Sequence, residues 1–376
     1  MFSALTLFFF KEGSRNAYNL DINQPFFKRN IQNALKFKLA HADTIDTFFR
    51  DLAPECLQKL KTGLIQTLIS TKVLEHGQLN ENYIVAIDGT NTGIYGEHNS
   101  EGALKKESKN GVIAYYRAVL EAKLVTKSGF CISLGSVWIE NVDEKYDKQD
   151  CEQNAFKRLA EQLKLDYPTL PITLVLDALF ASESVISTCK DNNWNFFVVQ
   201  KNNFYKFLVE EIVLCPGKQT VEFKYKKFSF LNNIEYQKDK YINWFTVTDE
   251  SEGFKSSWIS NLIITKKSLI LFESIARLRW KIENEGFNEQ KNNGYNLEHK
   301  YNRANLNAIK NYYQCLQIAS IIDQLVFLDN KVKKIMNKIS KTKAIEWCRA
   351  ILIMIRFKSE EIEKQISENF VCSYIE

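Results

Sequence analysis

The sequence predicts a mixed α/β protein with helical segments at both ends, and three observations carry that reading. Apolar residues recur at helical spacing over residues 1–80, and β-branched and aromatic runs split by turns fill residues 83–139. Beyond these, helix and strand patterns alternate up to about residue 200. Consecutive strands followed by such an alternation give a mixed sheet flanked by helices.

The elements follow in order. FFKRNIQNALKF and DTIDTFFRDLAPECLQKLKTGLIQTLISTKVL have helical periodicity, with Asp43 and Thr44 as N-cap candidates and Pro54 opening the longer helix at its first turn. The lysines of this region either touch a polyanion or solvate a helical layer packed on the core. YIVAIDGTNT, VLEAKLVT and GFCISLGSVWIE read as the strands of a meander. DKQDCEQNAFKRLAEQLKL is a helix stopped near Pro168, with Asp150 and Glu152 as capping acids at its positive end. ITLVLDALFAS, SESVISTCK and WNFFVVQK then give strand, short helix and strand. Residues 203–266 alternate β-like runs with polar turns and form an all-β insertion. Residues 267–291 read as one helix, NLNAIKNYYQCLQIASIIDQLVFL as another, and 331–376 as a basic then acidic helical tail. The expected organisation is therefore 1–80, a helical N-terminal region; 81–202 with 267–330, the core; 203–266, the insertion; and 331–376, the tail.

At 376 residues the chain can bury one large core with appendages, or two cores. Its 50 Lys and Arg against 45 Asp and Glu leave a net charge of +5, too mild to argue for a polyanion partner. Eight cysteines stand singly, without a C-x-x-C pair, which argues against a zinc site and fits reduced thiols in a cytoplasmic protein. MFSALTLFFF is too short to span a bilayer, lacks a basic leader and meets Lys11 at once, so it reads as a buried helix or a trimmed domain edge.

The chemistry starts from a carboxylate in an awkward place. At about 100° per residue, Phe272, Ile275, Ala276, Ile282 and Phe287 share one face of the 267–291 helix, and Glu283 falls near its centre beside Arg279. Glu285 points to the polar side with Arg277 and Lys281. A carboxylate on a buried stripe costs several kcal/mol unless a cation or donors compensate it. Asp88 ends the run YIVAID and Asp177 ends LVLD. On neighbouring central strands both would open on the carboxyl edge of the sheet, where α/β proteins place their sites. Taken singly, each aspartate is also an ordinary turn residue, and Asp88-Gly89 is a good turn dipeptide. Glu283 alone could simply pair with Arg279. Together, three close carboxylates require a divalent cation.

These residues carry a resemblance. With YIVAIDGTNTG, YYRAVLEAKLV, LPITLVLDALFAS, RWKIENEGFNEQKNNGYNLEHKY and the NYYQCLQIASIIDQL helix, the chain resembles the DDE transposases of bacterial insertion sequences up to about Leu325. The resemblance implies a ribonuclease H-like core interrupted by a β-strand insertion. It implies Asp88, Asp177 and Glu283 as a catalytic triad holding two Mg²⁺ ions, with Mn²⁺ able to substitute. It also implies Mg-dependent cleavage of double-stranded DNA at transposon inverted repeats, followed by strand transfer to target DNA by a homodimer on paired ends. The expected location is the bacterial cytoplasm, at the nucleoid. The superfamily signature places Tyr three residues before Arg, Glu four after it, and Lys seven after the Glu. Arg279 and Glu283 match, whereas Ala276 and Gln290 stand in the Tyr and Lys positions, with Lys291 one residue late.

Arg279 and Lys291 are accordingly expected to hold DNA phosphate, and Lys300 and Arg303 to contact DNA from the loop beyond, where Glu298 and His299 could also support the metal shell. Trp244 and Trp258 of the insertion either stack on a flipped base or pack in the core. KYKKFSF either tracks a DNA backbone or is an amphipathic strand. Relatives often carry a Cys and His-rich stretch after the IDGT motif; here only His98 stands there, so no metal knuckle is expected. The chain opens where relatives already have a helical lead-in, which leaves open a truncated relic that only binds DNA. A related metal-dependent nuclease is the other alternative.

Overall fold

The computed structural model describes residues 1–96, 101–141, 149–200, 212, 215, 217–327, 332, 334 and 340–357. It divides into two compact units, each assembled from separated stretches. The first holds Met1–Val73, Asn91–Arg117 and Phe287–Glu376, and the second holds Leu74–Thr90 and Ala118–Gly286.

The second unit is built on most of a ten-stranded mixed sheet. Its strands are β1 (Tyr83–Tyr95), β2 (Leu104–Glu107), β3 (Ile113–Val125), β4 (Cys131–Ile139), β5 (Ile172–Leu176), β6 (Asn195–Val199), β7 (Gln219–Phe223), β8 (Lys226–Gln237), β9 (Lys240–Asp249) and β10 (Phe254–Ser260). The order runs β2-β3-β1-β5-β6-β10-β9-β8-β7, with β4 also paired to β3. β2 and the adjoining parts of β1 and β3 belong to the first unit. β1, β5 and β6 are parallel neighbours. They are buried on both faces from Tyr83 to Ile87 and from Ile172 to Leu176, which is why they read as unbroken apolar runs. Each fully buried Ile, Leu or Val among them stabilises the fold by roughly 1.5–3 kcal/mol.

β1 and β3 are longer than their sequence runs suggest, and β2 was not foreseen. α6 (Glu152–Asp166) packs on β4 and α7 (Glu183–Asp191) on β6. β7 to β10 form an antiparallel meander whose last strand pairs with β6, so the insertion extends the core sheet edge to edge. The expected first residues of that insertion, 203–211, 213, 214 and 216, lie outside the described residues, as does His98.

The segment expected to be one regular helix over 267–291 is irregular. α8 (Leu269–Ala276) passes through a 3₁₀ turn at Arg277–Arg279 and a π-helical turn at Ile282–Asn288 into α9 (Glu289–Asn292). Close packing on the sheet accompanies the irregularity. A Cβ on Gly286 would stand 2.9 Å from Cys131 Sγ and 3.4 Å from Lys123 Cδ, so glycine lets the π turn lie directly on β3 and β4. π turns of this kind recur at functional sites.

The first unit is helical. α1 (Phe2–Phe9), α4 (Ala42–Asp51) and α5 (Pro54–Ser70) pack around α10 (Leu306–Val326), which is buried on nearly every side from Ala308 to Ile321. α2 (Arg15–Ile22) and α3 (Pro25–Leu35) complete the N-terminal layer. On the buried α10, the Asn311 amide nitrogen donates to the carbonyls of Phe49 and Leu52 at 2.9 and 2.7 Å. Pro54 does open α5, but the cap of α4 is His41, whose Nδ1 accepts from the Asp43 backbone N–H, so Asp43 and Thr44 lie inside the first turn. The helix α11 (Lys341–Met354) packs on α3, where Asn30 donates to the carbonyls of Leu352 and Ile355. The rest of the expected tail, 331, 333, 335–339 and 358–376, lies outside the described residues. No helix among the described residues is long and apolar enough to cross a membrane.

Gly286→Ala should destabilise the protein by about 1–3 kcal/mol through overpacking, read as a lowered midpoint in urea. Adding Cys131→Ala should recover most of that loss; a double variant as unstable as Gly286→Ala alone would refute the close approach.

Candidate carboxylate site

The site forms where the sheet order reverses. After β1 the chain adds β3 and β4 on one side, then returns to place β5 and β6 on the other. The switch point therefore falls between β1 and β5, the position where open α/β sheets bind ligands. Ile87 is in register with Leu176, the last residue of β5, so Asp88, still within β1, and Asp177, just past β5, stand at one level, about 4.8 Å apart by strand spacing. β1 itself continues to Tyr95; only its pairing with β5 stops at Asp88. Asp177 then caps a single 3₁₀ turn, Ala178–Phe180, accepting a hydrogen bond from the Ala178 N–H.

Arg279 joins the strand ends to the irregular helix. Its 3₁₀ turn packs on β5, and its guanidinium is 4% exposed. Nη1 lies 3.1 Å from Glu283 Oε1 and 3.9 Å from Asp88 Oδ2, so one buried cation bridges the two carboxylates. The same guanidinium stacks 4.1 Å over the Trp280 ring. Its Nε–H is buried without a hydrogen-bond partner.

Sequence reading missed one acid. Glu152, taken as a capping residue, begins α6 beside the aspartates: a Cβ on Gly89 would fall 2.4 Å from Glu152 Oε1. Gln153 fixes this start by donating to the Leu179 carbonyl at 3.0 Å, and Phe156 packs on Phe180 at 5.7 Å, so α6 is tied to the turn that follows Asp177. Asp150, the other supposed cap, instead pairs with Arg158 at 2.5 Å and accepts from the Glu140 N–H. The available signal was Gly89, which leaves room over the backbone beside Asp88.

The electrostatics are those of crowded acids. Burial pushes the Asp88 carboxyl up to about 7; Glu283 and Glu152 add to the rise, while the Gly89 N–H and Arg279 oppose it. Burial, then Asp177, raises Glu152 as well. Oxygen donors of this kind suit hard divalent cations such as Mg²⁺ and Mn²⁺, and a cation would offset the burial and crowding of acids that hold Asp88 protonated. Among the described residues, however, no three acidic, imidazole or thiol side chains already converge as a ligand set.

The helix-face argument for Glu283 needs correction. The π turn breaks the regular 100° wheel, and the Glu283 side chain is 37% exposed against 36% for Glu285, so burial does not separate them. Their partners do: Glu283 meets Arg279 next to Asp88, whereas Glu285 pairs with Lys281 at 2.5 Å. The acid buried on this segment is Glu273, 3% exposed and held by Lys226 at 2.7 Å. That pair also accounts for one lysine of KYKKFSF, on a strand that buries Phe228 and Phe230.

The other residues expected to contact DNA have partners of their own or belong to the first unit. Trp244 and Trp258 are 7% and 3% exposed. Trp244 donates to Gln200 Oε1 at 2.5 Å and Trp258 stacks on Phe245 at 5.1 Å, so both are sheet packing residues with no face free for a base. Gln290, in the signature's Lys position, is 1% exposed and exchanges hydrogen bonds with Gln317. Lys291 pairs with Glu298 at 2.9 Å, and these residues, like His299, Lys300 and Arg303, belong to the first unit.

Compared with models of known protein families and with curated protein sequences, the chain matches none.

The Asp88 shift has a definite sign. Its folded value near 7 exceeds the unfolded value of about 3.9, so between these values the folded chain keeps a proton that the unfolded chain has released. The contribution of Asp88 to stability is fully present below about pH 4 and is lost as pH rises through about 7. Asp88→Asn should therefore make the chelator-treated protein more stable at pH 8 than the unsubstituted chain, by on the order of 2–4 kcal/mol, with the difference shrinking towards pH 4. An equal difference at both pH values by chemical denaturation would contradict the raised pKa.

Proposed function

We propose that this protein is a metal-dependent DNA transposase of the DDE type, with a ribonuclease H-like core in its second unit. The observation that carries the reading is the placement of Asp88 and Asp177 side by side where the parallel pairing of β1 and β5 ends, with Glu283 reaching Asp88 through Arg279. That is the arrangement the resemblance in YIVAIDGTNTG, LVLDALFAS and RWKIENEG implies.

In this reading Asp88, Asp177 and Glu283 hold Mg²⁺, or Mn²⁺ in its place, as acceptor-only oxygens. Bound divalent ions would supply Lewis acidity and a water activated for attack on a phosphodiester. Asp88 resists ionisation until a cation compensates it, which couples loading of the site to loss of its proton. Glu152 contributes a fourth carboxylate against Asp177 and supports the metal-holding geometry. Arg279 exchanges its carboxylate contacts for a DNA phosphate, which its planar fork is suited to bind bidentately. The substrate is double-stranded DNA at transposon inverted repeats, joined afterwards to target DNA, with a homodimer holding paired ends.

A labelled duplex carrying the inverted repeats that flank the gene, incubated with the protein and Mg²⁺ or Mn²⁺, tests the reading. Cleavage and joined products are expected. Asp88→Asn, Asp177→Asn and Glu283→Gln should reduce both to background while DNA binding persists, and Glu152→Gln should cost about 10- to 100-fold, as for supporting ligands. Nicking without joining would mark a nuclease, and binding without cleavage a relic. Inactivation by Glu285→Gln with Glu283→Gln active would overturn the site.

A further inference from the structure

The first unit carries a second feature suited to DNA, distinct in composition from the carboxylate site. The loop at residues 299–304 and the start of α2 line an open cleft of about 420 Å³ that includes Arg15, Arg50, His299, Lys300 and Arg303, and no acid lines it. Two of these cations are anchored from below. Asp46, 3% exposed, pairs with Arg15 at 3.1 Å and Arg50 at 2.7 Å, Asn302 donates to it at 2.9 Å, and exposed Asp43 takes Arg15 at 2.5 Å. Lys300 and Arg303 are exposed and, among the described residues, lack a carboxylate partner; Lys300 instead sits 5.6 Å over the Tyr95 ring. Four full cations (Arg15, Arg50, Lys300, Arg303) against two anions (Asp43, Asp46) leave a surplus of two positive charges. That surplus is felt locally: desolvation, then Arg303 and Lys300, lower the proton affinity of His299.

The chemistry is that of phosphate. Arginine forks bind phosphate oxygens bidentately and lysine adds a point charge. Ser14, at the cleft, caps α2, whose positive end opens beside these side chains. Small-molecule sites are mostly apolar and enclose their ligand, whereas this cleft is open and carries four full cations, as suits a surface that tracks a polymer backbone. We propose that the cleft binds the sugar-phosphate backbone of double-stranded DNA, holding the duplex through Arg15, Arg50, Lys300 and Arg303. This rests on the DNA-acting reading above, and assigns to the N-terminal helices a part in DNA binding through Arg15 and Arg50. Phosphate contacts carry no base information, so the cleft adds affinity without sequence preference.

The experiment measures binding of the full chain to a labelled duplex by fluorescence anisotropy across a series of NaCl concentrations, with and without inverted-repeat sequence. Lys300→Ala/Arg303→Ala should weaken binding of both duplexes equally, by about tenfold or more at about 0.1 M salt, and lower the slope of log affinity against log salt by about 2. Lys157→Ala/Lys218→Ala, exposed lysines of the second unit, should leave both unchanged. Unaltered thermal unfolding of the variants excludes misfolding. An unchanged slope in Lys300→Ala/Arg303→Ala overturns the cleft while leaving the DNA-acting reading intact, and so does tighter binding of an RNA duplex than of DNA as to the assigned ligand. Failure of the unsubstituted chain to bind any duplex overturns the reading itself.

Discussion

Because Ile87 of β1 lies opposite Leu176 of β5, the next residue of each segment stands at the same level just past the last β1–β5 pair, and in both it is an aspartate. On parallel strands buried on both faces, a slip by one residue would turn every side chain to the opposite face and break the close packing on each. The rest of the second unit is arranged around the consequence. Two acids at one edge, joined by Glu152 and Glu283, form a concentration of negative charge that burial makes worse, and Arg279 is the cation that the fold supplies against it.

That compensation is partial. One guanidinium bridges Asp88 and Glu283 but leaves its own Nε–H without a partner, and Asp88 still holds its proton up to about neutral pH. A structure that only needed stability would relieve such strain by pairing each acid or replacing it. Elsewhere the same unit does so: Glu273 is gripped by Lys226 and Arg277, and Asp249 accepts from Ser251 and lies below the usual carboxylate range. The contrast between these paired acids and the crowded group at the switch point is the physical basis for the proposed site.

The order of strands was largely legible because it depends on local pattern. The apolar runs containing Ile84 to Ile87 and Leu174 to Leu176 announce buried strands, and the turn residues between them announce their ends. The site was legible where chemistry coincided with pattern, as at Asp88 and Asp177. It was not legible at Glu152, because an acid at a helix start has a sufficient local explanation in the helix dipole; only the tie from Gln153 to Leu179 brings it over Gly89. Nor was it legible at Trp244 and Trp258, whose burial depends on which strand lies beside them.

Glu283 shows the division most clearly. The sequence by itself determined that a glutamate follows Arg279 at i+4 in an apolar segment, and that pairing survives because contacts one turn apart depend only on local backbone geometry. The regular wheel that seemed to choose Glu283 over Glu285 does not survive. The π turn around Gly286 arises where the segment is pressed against Cys131 and Lys123, residues more than a hundred positions earlier in the chain. Only the tertiary structure therefore decided which glutamate meets Asp88, since backbone distortions imposed by long-range packing leave no periodic trace in the residues that undergo them.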